Sequence, residues 1–417
     1  MTENQATPGI YVTELSAFPP SVVGVATAVP VFIGYTETAQ SAGVMLSFKP
    51  VLIHSLADYQ AAFGGAATSG AFQLYSSLKL FFLNGGGDCY IVSTGGYDKT
   101  IDAAALMRGL DAAGQQRGPT ITVVPDAIAL PADPPETKGD FPKSLAFQTL
   151  VRAMLAQCGA LQDRVAILDL YGAGGIDQHS PTRAADIKAC VENFQADAGV
   201  ENLSYGMTYF PPLVTAVDDA GNTTAMQAPS GALAGIFARN DAARGVWEAP
   251  ANLSVNGVLK PSLALSEDEM EQLVMPLSGK SVNPIRDIPK QGILVWGART
   301  LDGNSNDYRY VQVRRTIIYI EQSLKQALNQ FVFAPNNGQT WVTVTTMISN
   351  FLNTLWSQGG LMGDKASDAY SVQCGLGSTM TGQDILNGYM IVSVTLQMIR
   401  PAEFIELTFT QKMQGVA

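Results

Sequence analysis

Apolar and polar positions alternate at both ends of the chain. In residues 9–15, GIYVTEL, Ile10 and Val12 lie opposite Tyr11 and Thr13, with Glu14 and Leu15 closing the run, the period of a strand with one buried face. The same alternation returns in residues 404–411, FIELTFTQ, through Phe404, Ile405, Glu406, Leu407, Thr408 and Phe409. Both ends are therefore expected to be strands free to join a sheet edge.

Between them the period changes. Val22 to Ile33 is strand-like, and Ser69 to Asn84 carries Phe72, Tyr75, Leu78 and Phe82 on one helical stripe, stopped by Asn84-Gly85-Gly86-Gly87. A short buried strand, Cys89 to Val92, follows. From about residue 100 strands and helices alternate: Thr120–Val124, Leu145–Cys158, Val165–Leu170, Thr182–Ala196 and Leu203–Tyr209. That order predicts βαβ units and a largely parallel sheet. RVAILDL is apolar almost throughout, as in a strand covered on both faces. Residues 125–143 and Asp218–Thr224 read as surface loops.

The last third opens with a strand and turn, GILVWGARTL at 292–301. Tyr308 to Phe331 then sets Val313, Ile317, Ile320, Leu324, Leu328 and Phe331 at helical spacing, which turns Arg314, Arg315 and Lys325 toward another face. A second helix spans Trp341 to Ser357 with Val344, Ile348, Phe351 and Leu355 inward, and Gly359-Gly360 ends it. Gly388–Met398 is a further strand.

Leu15 to Thr36 is free of charge over a length able to cross a bilayer. Pro19, Pro20, Pro30, Gly24 and Gly34 break any helix there, so a strand-turn-strand is expected and membrane insertion is not. The 36 acidic against 25 basic residues give a net charge of -11, the wrong sign for neutralising nucleic-acid phosphates. All of that excess lies in the first 295 residues, because residues 296–417 are balanced. Only 15% of residues are charged, below the ~25% usual for soluble domains, so protein partners are expected to cover part of the surface.

Four separated cysteines and two histidines, His54 and His179, provide no local zinc spacing, so no metal site is expected. Free thiols in a reducing compartment follow. The start MTENQATPG lacks a basic region before an apolar core, so synthesis in the cytoplasm is expected.

Three features could carry chemistry, and each has a plainer reading. Leu170 to Ile176 follows a buried strand and could cradle a phosphate, but it lacks GxGxxG and a terminal GK[ST], so a turn is expected. Ser230 stands ahead of a small-residue helix, and Asp126, Asp169 and His179 complete the members of a hydrolase triad. Their chain order is wrong for a subtilisin-type set, and helix capping by Ser230 is expected instead. Glu267-Asp268-Glu269 after Ser266 reads as a capped helix start. No catalytic residue and no cofactor are expected.

Several blocks resemble contractile tail sheath proteins, the family of myovirus tails, R-type bacteriocins and extracellular contractile injection particles. They are PGIYVTELSAFPPSVVGVATAVPVFIG at 8–34, FFLNGGGDCYIV at 81–92, APSGALAGIFARNDAARGVWEAPAN at 228–252 and VNPIRDIPKQGILVWGARTL at 282–301. YRYVQVRRTIIYIEQSL at 308–324, FAPNNGQTW at 333–341 and RPAEFIEL at 400–407 complete the series. Ala334 stands where an acidic residue is common, and residues 93–143 match poorly.

The resemblance implies an α/β plus α+β fold. A subtilisin-like α/β domain without a working triad, residues 96–294, would be inserted into a sheath core domain made of residues 17–95 and 295–400. Terminal strand arms, 1–16 and 401–417, would be exchanged between subunits. It also implies a structural, non-enzymatic subunit that polymerises as a helical homo-oligomer around an inner tube, with baseplate and terminal cap proteins as further partners and no direct nucleic-acid contact. Assembly in the bacterial cytoplasm and action in a virion tail or released particle follow. Arg314, Arg315 and Lys325 are the expected tube-facing residues. A serine hydrolase using Ser230, or another tube or baseplate component, is the alternative.

Overall fold

The computed structural model describes residues 21–41, 43–67, 70–135, 137, 139–216 and 224–404. The arm positions Ile10, Tyr11, Val12, Thr13, Glu14 and Leu15, and Ile405, Glu406, Leu407, Thr408 and Phe409, lie outside the described residues; Phe404 lies inside. The described chain forms two compact units, a larger one of residues 24–322 with 398–404 and a smaller one of residues 323–397 with 21–23.

The larger unit is built on nine strands: β1 (Pro30–Thr36), β2 (Val51–Ile53), β3 (Cys89–Gly96), β4 (Ile121–Val123), β5 (Val165–Leu168), β6 (Gly206–Phe210), β7 (Leu253–Ser254), β8 (Asn283–Ile288) and β9 (Gly292–Val295). They lie in the order β7-β9-β8-β6-β5-β4-β1-β3-β2. The six from β3 through β1 to β8 are parallel, and the edge strands β2, β9 and β7 pair antiparallel. The parallel sheet expected from the βαβ pattern is therefore present. The chain runs from β1 outward to β3, then back across β1 to β4, the doubly wound order in which a crevice opens beyond the strand ends.

Its helices are α1 (Leu56–Phe63), α2 (Leu74–Leu83), α3 (Ala103–Gln115), α4 (Leu145–Leu161), α5 (Arg183–Asp197), α6 (Ser230–Arg244) and α7 (Glu267–Val274). Asp102 and Ser144 cap α3 and α4 by accepting N–H bonds from Ala105 and Phe147. Ser266 and Glu269 form a reciprocal capping box at α7, as the sequence implied. Gly231 and Gly235 bring α6 against α2: a Cβ at either would collide with the carbonyl of Ser77 or Phe81.

One expectation needs correction. A domain boundary at 95/96 would fall inside β3, and one at 294/295 inside β9. The physical reason is the ladder: β3 pairs with β1 from Val31–Tyr90 to Thr36–Gly96, and β1 pairs with β4 from Pro30–Ile121 to Phe32–Val123. Residues 24–95 thus share one hydrogen-bonded sheet with the segment expected to be a separate insert. Residues 125–143 are also not wholly surface, since Pro125, Asp126 and Ala127 are buried in a 3-10 turn.

A helix α8 (Val311–Leu328) begins in the larger unit. The smaller unit contains α9 (Gly338–Ser357), capped by Asn337 and burying Val344, Met347, Ile348, Leu352 and Leu355. Phe351 is half-buried. Two antiparallel strands, β10 (Tyr370–Gln373) and β11 (Ser393–Leu396), form a sheet of their own, with Val372 opposite Val394. No helix among the described residues is long and apolar enough to cross a membrane.

Candidate functional site

The first place to look in a doubly wound sheet is the crevice beyond the strand ends, where helix N-termini would attract an anion. Here a cavity lined by Gln73, Asp169, Leu170, Tyr209, Phe210 and Pro229 remains, but the N–H groups that open α2 and α6 are taken by carboxylates of the chain itself. Asp126, just after β4 and fully buried, accepts N–H bonds from Tyr35 at 2.6 Å, Gln73 at 2.5 Å and Leu74 at 3.2 Å. Tyr35 ends β1, and Gln73 and Leu74 open α2, which has no side-chain cap of its own. One carboxylate thus ties two strand ends to a helix start. Burial pushes Asp126 up to about 6, against the opposing pull of those three donors.

Asp169 repeats the arrangement one strand along. It follows β5 and accepts from both the Ser230 backbone N–H at 3.1 Å and the Ser230 hydroxyl at 2.6 Å, at the N-terminus of α6. Burial pushes it up to about 7. The expected capping by Ser230 is therefore reversed. Ser230 is the first residue of the helix and its hydroxyl donates, so Asp169 is the capping group.

Of the triad candidates only Ser230 and Asp169 meet, and no histidine joins them. Ser230 is fully buried and its proton goes to Asp169. His179 lies exposed with its backbone N–H on Asp177, His54 is exposed and paired with Asp88 at 2.7 Å, and Asp126 is occupied by three backbone donors. No imidazole stands at the serine to act as base. The Gly-rich segment after Asp169 is a 3-10 turn, Ala173–Gly175, well before α5 opens at Arg183.

The helix expected to face the inner tube is buried on all sides over Val311–Thr316. Arg314 stacks between the Tyr205 ring at 4.3 Å and the Tyr308 ring at 3.7 Å and donates to Ser204 Oγ at 2.8 Å. Arg315 lies over Phe237, grips Asp241 with bonds of 2.9 and 2.6 Å, and donates to the Thr27 carbonyl. Both are corrected as tube-facing candidates: with 6% and 4% exposure, their guanidinium groups are used inside the subunit. Planar guanidinium stacks on rings and holds carboxylate bidentately, so a cation on an apparently polar face can be core. Apart from Tyr308, the partners Ser204, Tyr205 and Asp241 lie 74 to 110 residues away in sequence, beyond the reach of periodicity. Lys325 is exposed.

Among the described residues, the last side-chain anchor toward the C-terminus is at Glu403. Its carboxylate accepts from Arg299 Nε at 2.9 Å, Arg299 Nη2 at 2.5 Å and the Tyr310 hydroxyl at 3.1 Å. The pair is largely shielded, with side-chain exposures of 7% and 19%.

Comparison with known proteins addresses what such a chain is. Residues 100–301 match the phage tail sheath protein central domain and residues 304–412 the phage tail sheath C-terminal domain. A putative prophage major tail sheath protein of Pseudomonas aeruginosa is 26% identical over 323 residues, 75% of this chain and 74% of that one. A tail sheath protein of Burkholderia phage BcepMu is 29% identical, the match spanning 37% of this chain but only 33% of that protein. Among solved structures, the sheath of the PVC extracellular contractile injection system in its contracted state is 31% identical, with a TM-score of 0.71 and coverage of 99% of both chains. The contracted helical sheath of the anti-feeding prophage is also 31% identical, with a TM-score of 0.71 over 98% of this chain and 99% of that one. A sheath tail protein from Desulfitobacterium hafniense, 11% identical with a TM-score of 0.59, shares the fold. With two sheath domain families covering most of its length and full-length sheath relatives at this identity, the chain belongs to the contractile tail sheath protein family.

Proposed function

We propose that this sheath subunit polymerises as a helix around an inner tube in an extended state and repacks into a shorter, wider helix that drives the tube through a target envelope. The observation that carries this reading is the end-to-end match to sheaths solved in the contracted state. The stored energy is conformational, a bistable packing of identical subunits with heterologous contacts that propagate rather than close. Baseplate and terminal cap proteins would bound the polymer, which assembles in the bacterial cytoplasm and acts in a virion tail or released particle.

Subunits would be joined by exchanged terminal strands, residues 1–16 and 401–417. The small unit supports this reading. Among the described residues β10 and β11 pair only with each other, and a lone two-stranded sheet is marginal in water. Their outer edges are the places where an alternating strand from another copy would add backbone bonds. The subtilisin-like description of the parallel-sheet region comes from the family resemblance; the serine opening a helix over that sheet has its hydroxyl committed to Asp169 and is read as structural.

Expression of the chain alone, with and without residues 1–16, tests the proposal by negative-stain electron microscopy. Hollow cylinders that vanish on truncation are expected. Monodisperse monomers from both forms, across salt and concentration, would overturn it. For the tube, Lys325 is the remaining candidate from α8, and K325E should weaken tube co-sedimentation while leaving the monomer folded; unchanged co-sedimentation would remove the residue from that role.

A further inference from the structure

After the small unit ends at Gln397 the chain rejoins the large unit, where Glu403 makes the bonds described above. Arg299 is fixed before it meets Glu403: its N–H donates to Asn283 Oδ1 at 2.7 Å, and Asn283 Nδ2 donates to the Arg299 carbonyl at 2.8 Å. Asn283 opens β8, so the guanidinium stands on the sheet itself. Onto it comes Glu403, from 104 residues further along, with Tyr310 as a second donor. The neighbours of Glu403 make no comparable commitment: Ala402 is exposed and Phe404 is 70% exposed. A two-point, charge-assisted bond in a shielded site fixes direction as well as position.

We infer that Glu403 is a positioning residue for assembly: its bond to Arg299 and Tyr310 sets the point on the nine-stranded unit from which the C-terminal segment leaves. This inference rests on the strand-exchange reading above. With the anchor closed, a strand taken up by a neighbouring copy is tethered to β8, so force on the strand reaches the large unit. With it open, the tether begins at the end of β11, Leu396, seven residues earlier than Glu403, and the segment searches a larger volume. A longer, looser tether lowers the effective concentration of the strand at its receiving edge.

The test compares the full chain, a form lacking residues 405–417, E403Q, E403D and Y310F. Two quantities are read for each: the critical concentration for cylinder formation by light scattering, and the melting temperature of the unassembled subunit. E403Q should raise the critical concentration by roughly tenfold, the ratio for losing one charge-assisted bond, a larger rise than the lowered melting temperature from the unpaired Arg299 accounts for. E403D, which keeps the charge, should recover part of the loss, and Y310F should show a smaller rise. If removal of 405–417 leaves assembly intact, the strand-exchange reading fails and takes the anchor with it. If that removal blocks assembly while E403Q assembles at the native concentration, strand exchange stands and the anchor is overturned. A rise that merely follows a lowered melting temperature also overturns it.

Discussion

The large unit turns its charges inward, whereas the small unit turns apolar side chains outward. In residues 24–322 the carboxylates of Asp126 and Asp169 and the guanidinium groups of Arg314 and Arg315 are buried and each is met by a partner within the chain. In residues 323–397 Val332, Phe333, Val342, Leu376, Leu386 and Tyr389 are exposed, Phe333 completely. A buried charge with its partners specifies one arrangement and resists repacking, while exposed apolar surface is stable only until something covers it. The large unit also exposes apolar side chains, Leu277 completely and Val200 at 83%, so the difference is one of density along the chain, which is higher in the small unit. A machine that must change its packing without unfolding needs both kinds of region.

The sharpest way to break this contrast is to remove a buried cation. R315A leaves Asp241, only 6% exposed at its side chain, without its partner and should cost the subunit ~3–5 kcal/mol in denaturant unfolding. K325A, at an exposed site, should stay within about 0.5 kcal/mol of the parent. Equal effects would erase the distinction. A second pair compares backbone packing. A methyl group on Gly231 meets the Ser77 carbonyl, so G231A should lose ~1–3 kcal/mol. G382A has nothing within 4 Å in the small unit and should change unfolding by less than about 0.5 kcal/mol.

A further test of the buried carboxylates concerns pH. Burial holds Asp126 at about 6 and Asp169 at about 7, above the ~3.9 of an unfolded aspartate. The folded state therefore binds more protons than the unfolded state between pH 4 and 7. The contribution of these carboxyls is complete below pH ~4 and is lost as the pH rises through 6 and 7. Asp169→Asn removes one of the two. The stability of the parent relative to this variant should fall by about 1 kcal/mol or more from pH 4 to pH 7. A flat difference would show a carboxylate ionised throughout, with Ser230 and the helix terminus outweighing burial.

How much of this was written in the sequence depends on the distance over which each residue is satisfied. The helices at 145–161, 183–197 and 338–357 are legible because their stripes, caps and terminal glycines are local. β5 is legible because an unbroken apolar run has few other uses. The central place of β1 is not, since its partners begin 54 residues later and nothing in Pro30–Thr36 marks which sheet it joins. At α8 the period was visible but misleading. Arginines opposite an apolar stripe ordinarily face water, and only Asp241, Tyr205 and Tyr308 in space make Arg314 and Arg315 interior groups. The pairing of Asp169 with Ser230 had a partial signal, a carboxylate ending one apolar strand and a serine opening a later helix, but the direction of capping is set by which group carries the hydrogen.

Three of the four cysteines, Cys89, Cys158 and Cys190, are free thiols sealed in the large unit. Burial raises all of them, Cys158 to about 12, so the reactive thiolate is scarce as well as inaccessible. On the proposed route from a reducing cytoplasm to a released particle, these three thiols would pass through the change of chemistry without cross-linking or scrambling. Resistance to oxidation at these three positions is then a by-product of core packing: the same side chains that fill the space around the sheet also shield its sulfur.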